Sequence, residues 1–220
     1  MKLVLFDLDN TLLSGDSNVL WCEFLTAQCM VDGDAVRARN ADLQARYHNG
    51  TVGLQEFTDF YLGLLAGQSP RYWEPIRQKF LAQAIIPRIG RDARELANRH
   101  LGAGDLVVMI TATNRFITEL TAASFGIDNL IATDPQVSDG LFTGGSVGVL
   151  NMREGKVVRL HQWLTSRGLS LETLDSIAYS DSINDLPLLK AVNCAVAVDP
   201  DPHLHAQARQ RGWAVVHLNR

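Results

Sequence analysis

Asp7 and Asp9 stand two residues apart at the end of the apolar run Leu3–Phe6, and Thr11 follows two residues later. Residues two apart in a strand share a face, so a chain leaving a sheet at this point can bring both carboxylates over one small volume. No basic residue lies between Lys2 and Arg37 to neutralise them. Such a pair invites a divalent cation and offers a general acid and base. Three further points fall beside apolar or helical runs. Thr111 follows Leu106–Ile110 and leads through Ala112, Thr113 and Asn114 into a helical pattern. A hydroxyl with the free amides of a helix start makes a phosphate cradle. Asp181 and Asp185 follow Ile177–Tyr179, and Lys156 lies near the start of another helical stretch.

Each of these residues has an ordinary role when taken alone. An aspartate at a strand end is a turn former or helix cap, Thr111 a strand or cap residue, and Lys156 a solvated surface cation. Their joint order is what carries meaning. The acids and the threonine end strand-like runs, and in a parallel sheet such ends converge.

The elements that position them alternate. Strand-like runs recur at Leu3–Phe6, Leu106–Ile110, Leu130–Ala132, Ile177–Tyr179, Ala195–Val198 and Ala214–Val216. Helical patterns span Asn114–Phe125, Glu154–Leu164 and Pro202–Arg211, each with a glycine close behind. This alternation predicts parallel βαβ units. Val137–Val149, with Asp139-Gly140 inside it, predicts a hairpin added to the sheet. Residues 14–87 break the pattern. Leu20, Phe24, Ala27 and Val31, then Leu54, Phe57, Tyr61 and Leu64, form helical stripes, and Ser69-Pro70 reads as the start of a further helix. An all-helical insert directly after the first strand is placed like a lid over the acids. The expected architecture is α/β: a Rossmann-like parallel-sheet core over residues 1–13 and 88–220, with a helical cap over residues 14–87.

Composition narrows the partners. The 220-residue chain is 46% hydrophobic and 20% charged with a formal net charge of −4, ordinary for a globular enzyme and adverse to nonspecific nucleic-acid binding. No apolar stretch is long enough to span a membrane, and the first apolar run meets Asp7 too soon for a signal peptide. Cys22, Cys29 and Cys194 have no metal or redox spacing, which fits a reducing, cytoplasmic setting.

The order and spacing of these points resemble the haloacid dehalogenase (HAD) superfamily over essentially the whole chain. Its DxDx[TV] motif is Asp7-Leu8-Asp9-Asn10-Thr11, its hydroxyl motif Thr111, its lysine motif Lys156, and its acidic motif Asp181-Ser182-Ile183-Asn184-Asp185. The helical insert, Glu154-Gly155-Lys156 and Asp199-Pro200-Asp201-Pro202 are similar to the phosphoserine-phosphatase-like branch, subfamily IB, with its C1-type cap and its histidinol-phosphatase-like members. The resemblance implies a Mg²⁺-dependent phosphatase acting through an aspartyl-phosphate. Asp7 would be the nucleophile and Asp9 the proton carrier. Thr111, Ala112 and Thr113 would hold phosphoryl oxygens, Lys156 would neutralise charge, and Asn184 would assist it or the phosphate. Asp7, Asp181 and the Asp9 backbone carbonyl would hold Mg²⁺, with Asp185 orienting the metal's waters.

Asp9 argues against a dehalogenase, which lacks the second acid. A phosphomutase or phosphotransferase of the same superfamily, or a non-catalytic phosphate-binding module, are the alternatives. A signalling receiver domain would need an aspartate ending the Leu130–Ala132 strand, and Asp134 comes two residues late. The expected substrate is a small, amino-containing phosphorylated metabolite of the phosphoserine or histidinol phosphate class. Asp16 stands where the branch has an acid for the substrate's amino group. Arg37, Arg39 and Arg46 are the candidates to clamp a carboxylate. For an imidazole instead, Glu23 could join Asp16 at the cation, Trp21, Tyr47 or Trp73 could face the ring, and His48 could contact the substrate.

Overall fold

The computed structural model describes residues 1–48 and 51–218, with the side chains of Tyr47 and His48 outside the description. The expectations for those two side chains therefore lie outside the described residues. In chain order, β1 (Leu3–Phe6) leads to helices α1 (Ser17–Ala27), α2 (Gly33–His48), α3 (Leu54–Gly63) and α4 (Pro70–Phe80). Then come α5 (Arg91–Gly102), β2 (Leu106–Asn114), α6 (Arg115–Ser124), β3 (Asn129–Ser138) and β4 (Leu141–Val147). The chain closes with α7 (Glu154–Thr165), β5 (Ser176–Ser180), α8 (Leu186–Ala191), β6 (Cys194–Val198), α9 (Pro202–Arg211) and β7 (Ala214–Val216).

The strands form one sheet in the order β4-β3-β2-β1-β5-β6-β7. Every pairing is parallel except β3 with β4. The chain runs outward from β1 through β2 to the β4 edge, then returns to lay β5 on the other side of β1. That reversal opens a crevice at the carboxyl end of β1. Phe6 is level with Met109 on one side and Tyr179 on the other, so the residues that follow all three strands emerge together.

Period-two alternation divides the core. Val4, Phe6, Val107 and Met109 face α5, α6 and the insert's α1 and α4. Leu3, Leu5, Val108 and Ile110 face α7, α8 and α9. Burying each such side chain contributes about 1.5–3 kcal/mol, so the central strand is fixed from both faces. A smaller cluster of Cys22, Val36, Leu43, Phe57 and Tyr61 joins α1, α2 and α3 and reaches Met152 of the loop before α7.

Local signals account for most boundaries. Ser69 caps α4 by accepting from Tyr72 N, and Pro70 occupies its first turn. The β3–β4 hairpin turns on Asp139 and Gly140, with φ of 50° and 78°, as a two-residue turn of positive-φ residues requires. Phe142 of β4 donates to Gln68 O at 2.9 Å and accepts from Gly67 N at 2.9 Å, tying the segment after α3 to the hairpin. β2 runs past Ile110 to Asn114, beyond the expected strand. The ladder to β3 resumes at Asn114–Thr133 after a register shift, and Asn114 becomes the cap of α6. Val31 lies beyond the end of α1, although it packs on the core. Among the described residues of 14–87 there is no strand.

Candidate active site

Directly after β1 the chain makes a tight turn in which Thr11, Leu12 and Leu13 all donate to Leu8 O. Asn10 takes φ 56°, a left-handed conformation that asparagine tolerates. Leu8, Leu12 and Leu13 are buried beneath the turn, leaving the acids on its polar side. Asp7 N donates to Tyr179 O at 3.0 Å, so β5 sets the first acid's backbone.

The two acids of the pair have different surroundings. Lys156 Nζ donates to Asp7 Oδ1 at 2.7 Å and to Asp185 Oδ2 at 2.7 Å. The lysine is only 3% exposed. Asp9 is held apart from it: Oδ1 accepts from Ser17 N at 2.7 Å and Oδ2 from Thr113 Oγ1 at 2.9 Å. Ser17 opens α1, so an otherwise unpaired helix N–H points at Asp9. The Thr113 hydroxyl in turn accepts from Ser17 Oγ and Asn18 Nδ2.

The remaining predicted residues divide. Asp181 follows β5, and the Thr11 hydroxyl lies 3.1 Å from its Oδ1 and 3.3 Å from Asp7 Oδ2, so the two carboxylates converge on one hydroxyl. Asp185 is buried, and Ser180 Oγ donates to it at 2.8 Å. Thr111 is fully buried, and its hydroxyl accepts from Thr113 N at 3.2 Å. Ala112 and Thr113 form the cavity wall at this strand end. Asp16 caps α1, with Oδ1 accepting from Asn18 N and Val19 N, and Oδ2 takes a 3.3 Å bond from Gln44. Asn184 turns outward. Its Oδ1 accepts from Arg153 Nε at 3.2 Å, and it lines a separate groove with Ile183 and Pro187.

One cavity of about 610 Å³, its open mouth included, contains this chemistry. Asp7, Asp9, Asp16, Asp181, Asp185 and Asp201 line it against Lys156, the one cation lining it among the described residues, with Phe57 of α3 above. Burial drives the Asp7 carboxyl up to about 7; Lys156 opposes that, and Asp185 and Asp9 add to it. Burial, then repulsion from Asp16, lifts Asp9 to about 7. Asp181 is raised well above the carboxylate range by burial and by Asp7 and Asp185. Burial pulls the Lys156 ammonium down, but Asp185 and Asp7 more than reverse this, so it stays charged. The cavity therefore carries more negative charge than its own lysine can balance.

That surplus, and the hard-oxygen character of the donors, fit a magnesium ion. Among the described residues no three His, Cys, Asp or Glu form a ready metal cluster. Mg²⁺ commonly takes one or two carboxylates and keeps several waters, so Asp7 with Asp181 meets its needs.

Several functional contacts escaped the sequence reading. Asp201 caps α9 through Oδ1, while its Oδ2 accepts from Ile183 N at 2.6 Å, pinning the loop that bears Asp181 and Asp185. The Asp201-Pro202 pair, a cap followed by a first-turn proline, was the available signal. Ser17, Asn18 and Phe57 had none beyond helical spacing. Asn151 is fully buried and donates to Thr111 O and Ile131 O, supporting the β2 end. Trp21 is a core residue stacked on Phe24 and edge-on to Phe80 and to the buried Trp73, and Glu23 is exposed, so none of the three lines the cavity.

A doubly wound sheet with a helical insert after its first strand, and acids from two strand ends meeting a buried lysine, defines a class of hydrolase. The chain belongs to the haloacid dehalogenase-like hydrolases, whose sequence profile matches residues 4–190. It is 40% identical over 219 residues to a histidinol-phosphatase of Neisseria meningitidis, covering 99% of each chain. A phosphoserine phosphatase of Mycobacterium tuberculosis is 32% identical over 216 residues, covering 96% of this chain and 68% of that one. A solved structure of a protein of unknown function from Bordetella pertussis superposes with a TM-score of 0.92 at 44% identity, covering 97% of both chains. Within the family this chain is a phosphatase.

Proposed function

We propose that the enzyme hydrolyses a small, amino-containing phosphomonoester through a phospho-Asp7 intermediate, with histidinol phosphate as the preferred substrate. The observation that carries this reading is the separation of the two acids. Asp7 accepts from Lys156, while Asp9 accepts from Ser17 N and the Thr113 hydroxyl instead. The Asp7 carboxylate attacks phosphorus, and the bond from phosphorus to the leaving oxygen breaks. Asp9, whose pKa of about 7 lets it carry a proton near neutrality, gives that proton to the departing alkoxide. A water then attacks the phosphorus of phospho-Asp7 and passes its proton to Asp9, releasing phosphate and restoring Asp7. Lys156 keeps Asp7 oriented, and the Ala112–Thr113 segment receives phosphoryl oxygens. When bound by Asp7, Asp181 and the Asp9 carbonyl, with Asp185 orienting its waters, Mg²⁺ supplies charge neutralisation that admits a phosphate dianion.

The insert over residues 14–87 acts as the lid of a core formed by 1–13 and 88–220. Its Phe57 and Asp16 select the leaving group. Arg37, Arg39 and Arg46 pair with Asp34, Asp42 and Glu56, and among the described residues no arginine lines the cavity. A substrate carboxylate would meet six acids and one engaged lysine, which disfavours phosphoserine. Histidinol phosphate has the ammonium without the carboxylate, and the 40% identical relative bears that substrate's name. Phosphoserine is the second reading, supported by the 32% identical relative. No helix among the described residues is long and apolar enough to cross a membrane, which fits a cytoplasmic metabolic enzyme.

Release of inorganic phosphate from histidinol phosphate, phosphoserine, ethanolamine phosphate and an aryl phosphate, compared by kcat/KM, tests the substrate. Histidinol phosphate should lead by at least about tenfold, or 1.4 kcal/mol. A lead for phosphoserine overturns that choice. Asp7→Asn should lose the acid-trapped phosphoenzyme and all turnover, and chelation should stop the native enzyme. Full turnover after either treatment rejects the mechanism.

A further inference from the structure

The catalytic cavity is too small for a whole substrate. A water-sized body can occupy only about 70 Å³ of it, room that a phosphoryl group beside a metal ion takes up. Next to it, with Asn10, Asp16, Asp181 and Asp201 as shared walls, runs an open groove of about 560 Å³ by the same measure. The insert contributes Val19 and Leu20 from α1 and Gln44 from α2 to this groove. Most acceptors around it are already engaged. Asp181 converges with Asp7 on Thr11, and Asp201 caps α9 and holds Ile183 N. Asp199 bonds to His217 Nδ1 at 2.8 Å and accepts from Leu218 N at 3.3 Å. Asp16 commits Oδ1 to the cap of α1, which leaves Oδ2. Hydrogen-bond direction then fixes the Gln44 amide. The Tyr61 hydroxyl donates its one hydrogen to Asn40 Oδ1 at 2.7 Å, so it accepts from Gln44 Nε2 at 2.9 Å. The same nitrogen donates to Asp16 Oδ2 at 3.3 Å, because a carboxylate only accepts. Gln44 Oε1 is left without a partner among the described residues.

We infer that the leaving group lies in this groove, and that Gln44 Oε1 joins Asp16 Oδ2 in accepting from a primary ammonium on it. An ammonium carries three donors, more than one open carboxylate oxygen can meet. Taking such a charge out of water is costly unless it is both paired and hydrogen-bonded, so a neutral acceptor beside the carboxylate completes the receptor. Asp16 supplies the charge and Gln44 the direction. Val19 and Leu20 offer apolar surface to the carbon chain between the ammonium and the ester oxygen. The chemical class is a phosphorylated aliphatic amine. The inference rests on the proposed phosphatase reading and deepens it. Gln44 does not line the catalytic cavity, so it becomes a specificity-determining residue that touches neither the phosphoryl group nor the metal.

Gln44→Leu tests this, because leucine removes the amide at similar volume. Gln44→Glu keeps an acceptor oxygen and loses the donor. Ethanolamine phosphate is compared with propyl phosphate, in which a methyl replaces the ammonium, and the ratio of their kcat/KM values is read for each protein. Native enzyme should favour ethanolamine phosphate by about tenfold or more. Gln44→Leu should lower that ratio at least about fivefold, through KM rather than kcat. Gln44→Glu should hold it at or above the native value, because the acceptor stays. If both variants lower the ratio alike, Gln44 only aims Asp16 through Nε2, and the inference is overturned. An unchanged ratio in Gln44→Leu, whether or not both rates fall, would assign the residue a structural role and overturn it as well. If native enzyme shows no preference for the ammonium, the inference falls, while phosphate release from propyl phosphate would keep the hydrolytic mechanism standing.

Discussion

Thr113 donates its hydroxyl hydrogen to Asp9 Oδ2 across 2.9 Å, joining residues 104 apart in the chain. The bond fixes the orientation of the second acid and opposes the rise in its pKa that burial causes. Thr113→Val should therefore raise the Asp9 pKa and move the alkaline limb of the kcat/KM profile upward in pH. Turnover at neutral pH should fall about tenfold or more, because the carboxyl loses its aim. Thr113→Ser should restore both. A pH–rate series on the three proteins checks this.

The metal-free protein should become less stable as pH rises. The folded pKa values of Asp7 and Asp9 lie near 7, above the ordinary value of 3.8, because burial penalises their charged forms. The folded state then binds more protons than the unfolded state between about pH 4 and 7, so the stabilisation present below pH 4 is lost as pH climbs through that window. Thermal melts in chelator should show Tm falling from pH 5 to pH 8. Added Mg²⁺ should raise Tm more at pH 8 than at pH 5. A flat Tm profile in chelator would contradict the assigned crowding.

Gly155 precedes Lys156 at the start of α7, and a Cβ there would lie 2.0 Å from Leu150 O. No small adjustment relieves a contact that short with backbone. Gly155→Ala should cost about 1–3 kcal/mol and tilt the first turn of α7, drawing Lys156 from Asp7. Denaturant unfolding should report the loss of stability, and kcat should fall by more than tenfold.

Arg39 and Arg46 both bind Glu56 on the outer side of the insert, and their hydrogen bonds hold its carboxyl down to about 2. Arg39→Ala and Arg46→Ala should therefore leave kcat/KM for histidinol phosphate within about twofold. Solvent screens exposed pairs, so their effect on Tm should also be small. A selective loss with phosphoserine would reopen a carboxylate clamp.

The chain advertised its fold wherever side-chain pattern and backbone chemistry agreed. Leu3–Phe6 before Asp7, Ser69 before Pro70, and Asp139 before Gly140 each carry their conformation in a few residues. The helical stripe of Leu54, Phe57, Tyr61 and Leu64 foretold α3. Side-chain direction was less legible. Asn184 occupies a familiar motif position yet turns to Arg153, because the choice depends on a residue 31 positions away. Trp21 and Trp73 offered rings to a ligand by type, but packing against Phe80 and a bond from Trp73 Nε1 to Leu65 O claim them for the core. Asp201 combines a local role, capping α9, with a distant one, holding Ile183 N. Only the local half is written in neighbouring residues.

The paired bonds between Phe142 and the Gly67–Gln68 segment bear on how molecules enter and leave. Together with α1 and α4, which share the sheet's own core, they moor both ends of the insert. A jaw-like swing of the whole insert would tear that mooring. The freedom left to the insert lies in α2 and the leading turn of α3, the parts held by the smaller cluster. Lid opening and local unfolding run from microseconds to seconds, so amide hydrogen exchange should be faster in α2 than in α1 and α4.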